Sequence, residues 1–257
     1  YLEAKPWIEL IELGTFSEDT LSRFPLSYQT TDSWFKLLKQ SAEKHGMTWL
    51  HAFHIGICLT ERGDVTESIN MFTYSYTLKP YPVTSRNIAV LQQSQEEAWE
   101  FYKGTWQLAL QLYSGSTTGG FTYDQDTITR LLNNLVTEIS FFLQQNLWYT
   151  DMAAFISTVP ENFRWLDSFI TLKVKYLIHI SEYDEAKVIL QSECFPTYAK
   201  ARSDLMSLWN EVIIGQAMVE RQVDSLSAVE KHRIRMNDPI PKNIGCQYAS
   251  EYCLNYW

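Results

Sequence analysis

Apolar side chains recur every three to four residues along almost the whole chain, a spacing that admits little besides amphipathic helices. In 129–145 the stripe is Leu132, Leu135, Val136, Ile139, Phe142 and Leu143. At 3.6 residues per turn these fall on one face. Residues 166–180 repeat the spacing with Phe169, Ile170, Leu172, Val174, Leu177 and Ile178, and 204–222 with Leu205, Leu208, Trp209, Val212, Ile213 and Met218. Strand-like alternation is scarce, and the β-branched, aromatic patch at 71–78 fits a helix equally well. Breakers fall between the stripes: Gly63-Asp64, Pro80 and Pro82, the run 114–120, Pro160, Pro196, and Pro239 with Pro241. Ser227-x-x-Glu230 has capping-box spacing, and Asp184 precedes a further stripe at 185–190. The pattern predicts an all-α chain of about ten to twelve helices, mostly in antiparallel pairs.

Helices of this kind need a core, and the composition supplies one. Hydrophobic residues make up 46% of the 257 and aromatics 14%, too much for a disordered chain. The length suffices for one large domain or two modest ones. No apolar run approaches the roughly 18 residues of a membrane span, since 139–143 and 212–214 are short and flanked by polar residues. Thirty acidic against 21 basic side chains leave a net charge of −9 and no Lys/Arg stripe, which argues against nucleic acid as a main partner. Cys58, Cys194, Cys246 and Cys253 are scattered without a CxxC pair. They read as free, buried or half-buried thiols of a reducing compartment. The lack of an N-x-S/T sequon agrees with a cytoplasmic location. Residue 1 is Tyr, so the numbered chain reads as a fragment or processed product from which a targeting signal could have been lost.

Helix, tight turn, helix, then Pro or Gly recurs at intervals of about 30–45 residues. The sharpest unit runs over 49–80. Gly56 is expected where two helices cross too closely for a Cβ, and Gly63 in the turn between them. Counting Trp49 as the first position, Gly56, Gly63, Ser68, Phe72, Ser75 and Pro80 fall at 8, 15, 20, 24, 27 and 32. That pattern resembles the tetratricopeptide repeat. Arg86-Asn87-Ile88-Ala89-Val90-Leu91 with Ala98 and Tyr102 reads as a second repeat with a shortened turn. The stretch 166–180 followed by Glu182-Tyr183-Asp184-Glu185-Ala186 reads as a third, with Ser181 where Gly is usual, and 125–157 has the two-helix size alone.

A wider resemblance rests on Trp49-Leu50-His51-Ala52-Phe53-His54-Ile55-Gly56, on 86–91, on 201–209 with its Leu208-Trp209 pair, and on Asp238-Pro239-Ile240-Pro241-Lys242-Asn243-Ile244. In these stretches the chain is similar to the tetratricopeptide-type C-terminal half of proteins with an N-terminal mutarotase-like β-sandwich region of unknown function. The resemblance implies a tetratricopeptide-like superhelix of antiparallel helix pairs, an α-solenoid. It places the β-sandwich half upstream of Tyr1 and suggests carbohydrate handling there. The implied organisation is leading helices in 1–45, repeats in 46–113, a loop insertion at 114–124, further pairs in 125–195, and capping helices with a tail in 196–257. The insertion and the tail after Gly245 have no counterpart in that family.

Candidate chemistry is sparse. His51 and His54 are three apart and could share a metal, but no Cys or carboxylate sits at a companion spacing. They read as partly buried or groove-lining imidazoles, His45 as a pre-helix surface residue, His179 as a helix-ending partner of the dipole, and His232 as solvated. Glu61 with Asp64 and Glu96 with Glu97 sit at a turn or a helix start. There acids serve the dipole or solubility rather than glycoside cleavage. The run 114–120 lacks the lysine of a phosphate loop, and no G-x-S-x-G, H-E-x-x-H or G-x-G-x-x-G is present. Taken alone the chain reads as non-catalytic, with neither cofactor nor metal expected. Trp99, Trp106, Trp148, Trp165 and Trp209 lie on stripes and read as core.

In a superhelix the first helix of each pair lines the concave face. In the repeat frame that face holds Leu50, Phe53, Ile57, Thr60 and Glu61, then Arg86 and Val90, then Thr171, Lys175 and His179. The candidate groove is Phe53, Ile57, Thr60, Glu61, Arg86, Val90, Thr171, Lys175 and His179. Its aromatic, Arg, Lys and His mix suits a peptide or a stacked sugar. The blander reading packs many of these against neighbouring helices. The expected function is a non-catalytic scaffold binding a partner protein, a peptide or a companion β-sandwich domain through that face, with no membrane partner. The alternative is the helical half of a glycoside-processing enzyme whose catalytic part lies upstream, with carbohydrate as ligand.

Overall fold

Each apolar stripe becomes a helix. The structure is a computed structural model and describes residues 2–115, 120–121, 123–192, 195 and 202–244. Among these residues there are thirteen α-helices and no strand. Helices α1 to α7 span Lys5–Glu12, Glu18–Leu21, Asp32–His45, Trp49–Glu61, Val65–Leu78, Pro82–Leu91 and Gln95–Tyr113. Helices α8 to α13 span Gln125–Asn146, Tyr149–Thr158, Asp167–His179, Tyr183–Ser192, Arg202–Arg221 and Ala228–Asn237. The aromatic patch at 71–78 is the second half of α5. None of the described helices is long and apolar enough to cross a membrane.

Local chemistry sets the helix ends. The Thr48 hydroxyl accepts the His51 backbone N–H at 3.3 Å, while His51 Nδ1 accepts the Thr48 N–H at 3.3 Å, a capping box closed by an imidazole. Asp64 caps α5, Ser94 caps α7, and Ser227 with Glu230 forms the expected capping box on α13. Gly63 takes φ +77° between α4 and α5, and Pro82 sits in the first turn of α6. Two expectations shift by a residue or more. His45 is the exposed last residue of α3 rather than a pre-helix residue, and Asp184 lies inside the first turn of α11.

The chain divides into two compact units, Tyr1–Leu132 and Asn133–Trp257. In the first, α4 packs on α3 and α5, α5 on α6, and α6 on α7. Nine of the 13 residues of α4 are buried, so this helix is covered nearly all round. Small side chains tie it to α5: Ser68 donates to the Gly56 carbonyl at 2.8 Å and Ser75 to the Trp49 carbonyl at 2.8 Å. Beyond them the rings of Phe24, Trp49, Phe53, Tyr81 and Phe121 meet at 4.7–6.1 Å.

In the second unit, α10 packs on α9, α11 and α12, and α12 packs on α13. Val174, Leu177, Ala186, Leu190, Leu205, Leu208, Trp209 and Val212 form its core. The double-proline segment closes over this core. Trp209 Nε1 donates to the Asp238 carbonyl, Asn243 Nδ2 donates to the Leu190 carbonyl at 2.8 Å, and Ile244 is buried. Gly215 lies directly under the Tyr183 ring, where a Cβ would collide with it.

Trp99, Trp106 and Trp209 are core, as their stripes predict. Trp165 is not: it is 61% exposed, its Nε1 donating to the Asn162 carbonyl. It lies between the 3₁₀ turn Glu161–Phe163 and α10, outside any helix, so helical spacing says nothing about its direction. Trp148 is half-buried just before α9, edge-on to Phe142. Cys58 is a buried free thiol, while Cys194, Cys246 and Cys253 lie outside the described residues.

Candidate functional site

In the first unit a cavity of about 440 Å³ opens between α4, α6 and the loop 25–28. Its floor is aromatic, made by Phe53 from α4, Phe72 from α5 and Tyr81 at the start of α6, all at most 4% exposed. Burial pushes the Tyr81 phenol well above its ordinary range, so it stays neutral. The last turns of α4 supply Ile57, Thr60 and Glu61, and one side of α6 supplies Arg86, Asn87 and Val90. Arg86 Nη1 donates to Asn87 Oδ1 at 3.3 Å. Thr60 is turned inward: its hydroxyl donates to the Gly56 carbonyl at 3.0 Å and meets the Ser68 hydroxyl at 2.6 Å.

Six of the nine predicted groove residues therefore surround one cavity: Phe53, Ile57, Thr60, Glu61, Arg86 and Val90. The other three lie on α10 in the second unit. Thr171 is 1% exposed, donates to the Asp167 and Ser168 carbonyls and meets Gln144 Nε2 from α8, so it packs between helices. Lys175 is half-buried, and His179 stacks flat on Tyr149 at 3.6 Å. Leu50 is buried and lines a smaller opening beside Phe24 and Tyr123 instead. There Asp19 is held at about 2, chiefly by its hydrogen bond from Arg23 and then by Lys5.

The loop residues of the cavity, Pro25 to Tyr28, were beyond sequence reasoning, since a loop has no period to read. Asn87 and Tyr81 did carry a signal: Asn87 follows Arg86 on one helix, and Tyr81 precedes the Pro82 that starts it.

His51 and His54 line neither opening. Both are completely buried, a correction to the groove-lining reading. From Trp49 to Gly56 every residue of their helix is buried, so three-residue spacing does not bring them to a surface. His51 is satisfied by the Ser41 and Thr48 hydroxyls, each at 2.8 Å. His54 lies against Trp7 at 4.6 Å and Phe53 at 5.4 Å, and neither of its ring nitrogens has a hydrogen-bond partner among the described residues. Burial first, then a neighbouring imidazole, lowers His51 to about 4 and His54 to about 3, so both are neutral at physiological pH. No group of three or more His, Cys, Asp or Glu set to hold a metal occurs among the described residues. Asp64 and Glu96 serve helix starts, accepting from the Glu67 N–H and the Ser94 hydroxyl.

Among known families, residues 131–242 match the model described as the transcriptional regulator SIX1 N-terminal SD domain. No curated protein matches the chain. The family match overturns the tetratricopeptide and mutarotase-like resemblance. Two of the stretches on which that resemblance rests, 201–209 and 238–244, lie within or across the end of the matched region. The expected concave-face scaffold and the glycoside-processing alternative fall with that resemblance. The physical reason for the misreading is visible in α4 and α5. Glycine facing an aromatic ring, flanked by serines, is what any two closely crossing helices need. The spacing in 49–80 reports that crossing and not a family.

Proposed function

We propose that the second unit is a protein-recognition domain of the kind described for the SIX1 N-terminal SD domain, and that the chain acts in transcription regulation through it. The observation that carries this reading is a coincidence of boundaries: the matched residues 131–242 begin within two residues of the unit Asn133–Trp257. Its core is closed and side-chain specific, with Trp209, Val212 and Leu190 at most 1% exposed, as a rigid recognition surface requires. Its outer side keeps large apolar groups in water, among them Val229 at 68% and Met236 at 70%, both on α13 beside Arg233 and Arg235. A partner surface would cover such groups. The reading puts the chain with the transcription apparatus, in the nucleus of a eukaryotic cell, rather than in the cytoplasm at large. In the first unit, the packing of α3 through α7 each on the next supports a local stack of helix pairs.

The test tethers the full chain to a reporter promoter through a fused DNA-binding module. The expected result is a change in transcription that Val229→Glu with Met236→Glu abolishes while the circular dichroism spectrum is preserved. A well-expressed fusion that leaves the reporter untouched overturns the reading.

A further inference from the structure

We propose that the outer face of α13 takes an acidic amphipathic helix from a protein partner, with its apolar side chains on Val229 and Met236 and its carboxylates on Arg233 and Arg235. Helix α13 lies inside the matched residues 131–242. The inference therefore rests on the protein-recognition reading of the second unit and names the chemistry of its partner.

Helical spacing sets the face. Ile234 is packed into the core of the second unit. At about 100° per residue the side chains opposite it are Val229, His232 and Met236. Val229 and Met236 stand about two turns or 10 Å apart along that face. They are the two most exposed large apolar side chains among the described residues. Arg233 flanks this ridge on one side and Arg235 on the other, both exposed. Apolar anchors at i and i+7 with polar flanks are what a second amphipathic helix covers with its own anchors.

The charges choose the partner. Helix α13 carries Lys231, Arg233 and Arg235 against Glu230 alone, in a chain whose net charge is −9. The acids at its two ends are engaged. Glu230 accepts from the Ser227 N–H and hydroxyl and pairs with Arg221 at 3.5 Å, while Asp238 is held by Lys187. Arg233 feels Glu230 only at longer range, and neither Arg233 nor Arg235 makes a hydrogen bond or salt bridge to any described residue. The helix dipole accounts for a cation in the last turn, Arg235, and not for Arg233. A guanidinium pairs a carboxylate with two parallel hydrogen bonds, strengthened where apolar neighbours exclude water. A second copy of the chain fits poorly, since a twofold contact through this face opposes two cationic surfaces. Nucleic acid fits poorly too, because its phosphates would leave the apolar ridge without a partner.

Fluorescence anisotropy with the full chain tests this with three labelled peptides of about 16 residues, long enough to form a helix. All three carry Leu and Phe at every third or fourth position, and Glu, Gln or Lys at the others. The Glu peptide is expected to bind saturably, about tenfold or more tighter than the Gln peptide, and to weaken as salt is raised. Arg233→Gln with Arg235→Gln should cost it about tenfold at an unchanged circular dichroism spectrum. Arg233→Glu with Arg235→Glu should turn the preference to the Lys peptide, and should abolish the reporter response as Val229→Glu with Met236→Glu does. The inference is overturned if the Glu peptide fails to bind, if the Gln peptide binds as well, or if the folded arginine variants bind unchanged. Preference for duplex DNA or phosphatidylserine vesicles over the Glu peptide overturns it too. A reporter response that survives the arginine reversal but not Val229→Glu with Met236→Glu keeps the transcriptional reading and removes the acidic partner. A silent reporter beside charge-selective peptide binding removes transcription and keeps the acidic partner.

Discussion

The Phe72 ring lies against the bare Cα of Gly56, so closely that a Cβ on Gly56 would stand 2.8 Å from the ring edge. The ring is 1% exposed and faced by Phe53 at 6.0 Å, so making room for a larger side chain means repacking both rings. Gly56→Leu should therefore spread α4 from α5 and destabilise the first unit by about 1–3 kcal/mol or more. Gly56→Ala sets a helix-propensity gain of about 1 kcal/mol against the same clash and should also come out destabilising. Urea unfolding followed by circular dichroism measures both. An unchanged midpoint for the leucine variant would falsify the close crossing.

Gly104 is the matching control. It lies inside α7, and a Cβ there meets nothing within 4 Å. Alanine should restrict the unfolded chain and favour the helix at no steric cost, raising stability by about 0.5–1 kcal/mol. A lower unfolding midpoint for Gly104→Ala would mean that the open space beside α7 is filled in solution.

The two buried imidazoles make stability depend on pH in one direction. Unfolded, each takes a proton near pH 6.5; folded, His51 resists to about 4 and His54 to about 3. Between those values the unfolded chain binds more protons, so stability rises with pH. It is fully present above about 6.5 and is lost as pH falls toward the folded values, by up to about 1.4 kcal/mol per pH unit for each histidine. His54→Phe replaces an imidazole whose nitrogens lack partners among the described residues with a ring of similar shape. It should flatten the slope between pH 6.5 and 4 with little loss at neutral pH. Parallel pH profiles for the wild type and this variant would rule His54 out as the source.

How far the sequence could be read follows from what each feature depends on. Helix positions depend on local spacing, so α8, α10 and α12 stood out from their stripes, and the Gly56 crossing from one glycine set against Phe72. The cavity was half legible for the same reason: Phe53, Ile57 and Glu61 share one face of α4, and Arg86 and Val90 one face of α6. Its other wall, Pro25 to Tyr28, comes from a loop that reaches α4 only through the tertiary fold. Thr171 shows the opposite failure, because a face free in a lone helix pair is covered by Gln144 of α8. His51 and His54 were misplaced since α4 is buried on every side from Trp49 to Gly56, and a stretch covered all round offers no stripe to distinguish inside from outside. The family assignment failed for a different reason, resting on residues that close helix packing requires in any family.

The segment after α13 supplies the last prediction. Trp209 is 1% exposed, and its Nε1 donates at 3.2 Å to the Asp238 carbonyl. Lys187 Nζ holds the Asp238 carboxylate at 3.2 Å from the other side. The indole thus joins the packed core to the start of the double-proline segment, whose far end is fixed by the hydrogen bond from Asn243 to Leu190. Trp209→Phe keeps most of the ring volume and removes the only ring donor, a loss of about 1 kcal/mol that should fall mainly on 238–244. Amide hydrogen exchange separates a local from a global effect. The Asp238 and Ile244 amides, which donate to the Ile234 and Pro241 carbonyls, should exchange about fivefold faster, with the amides of α10 little changed. Equal acceleration in α10 and in 238–244 would mean that the indole bond stabilises the whole unit and does not specifically pin the segment.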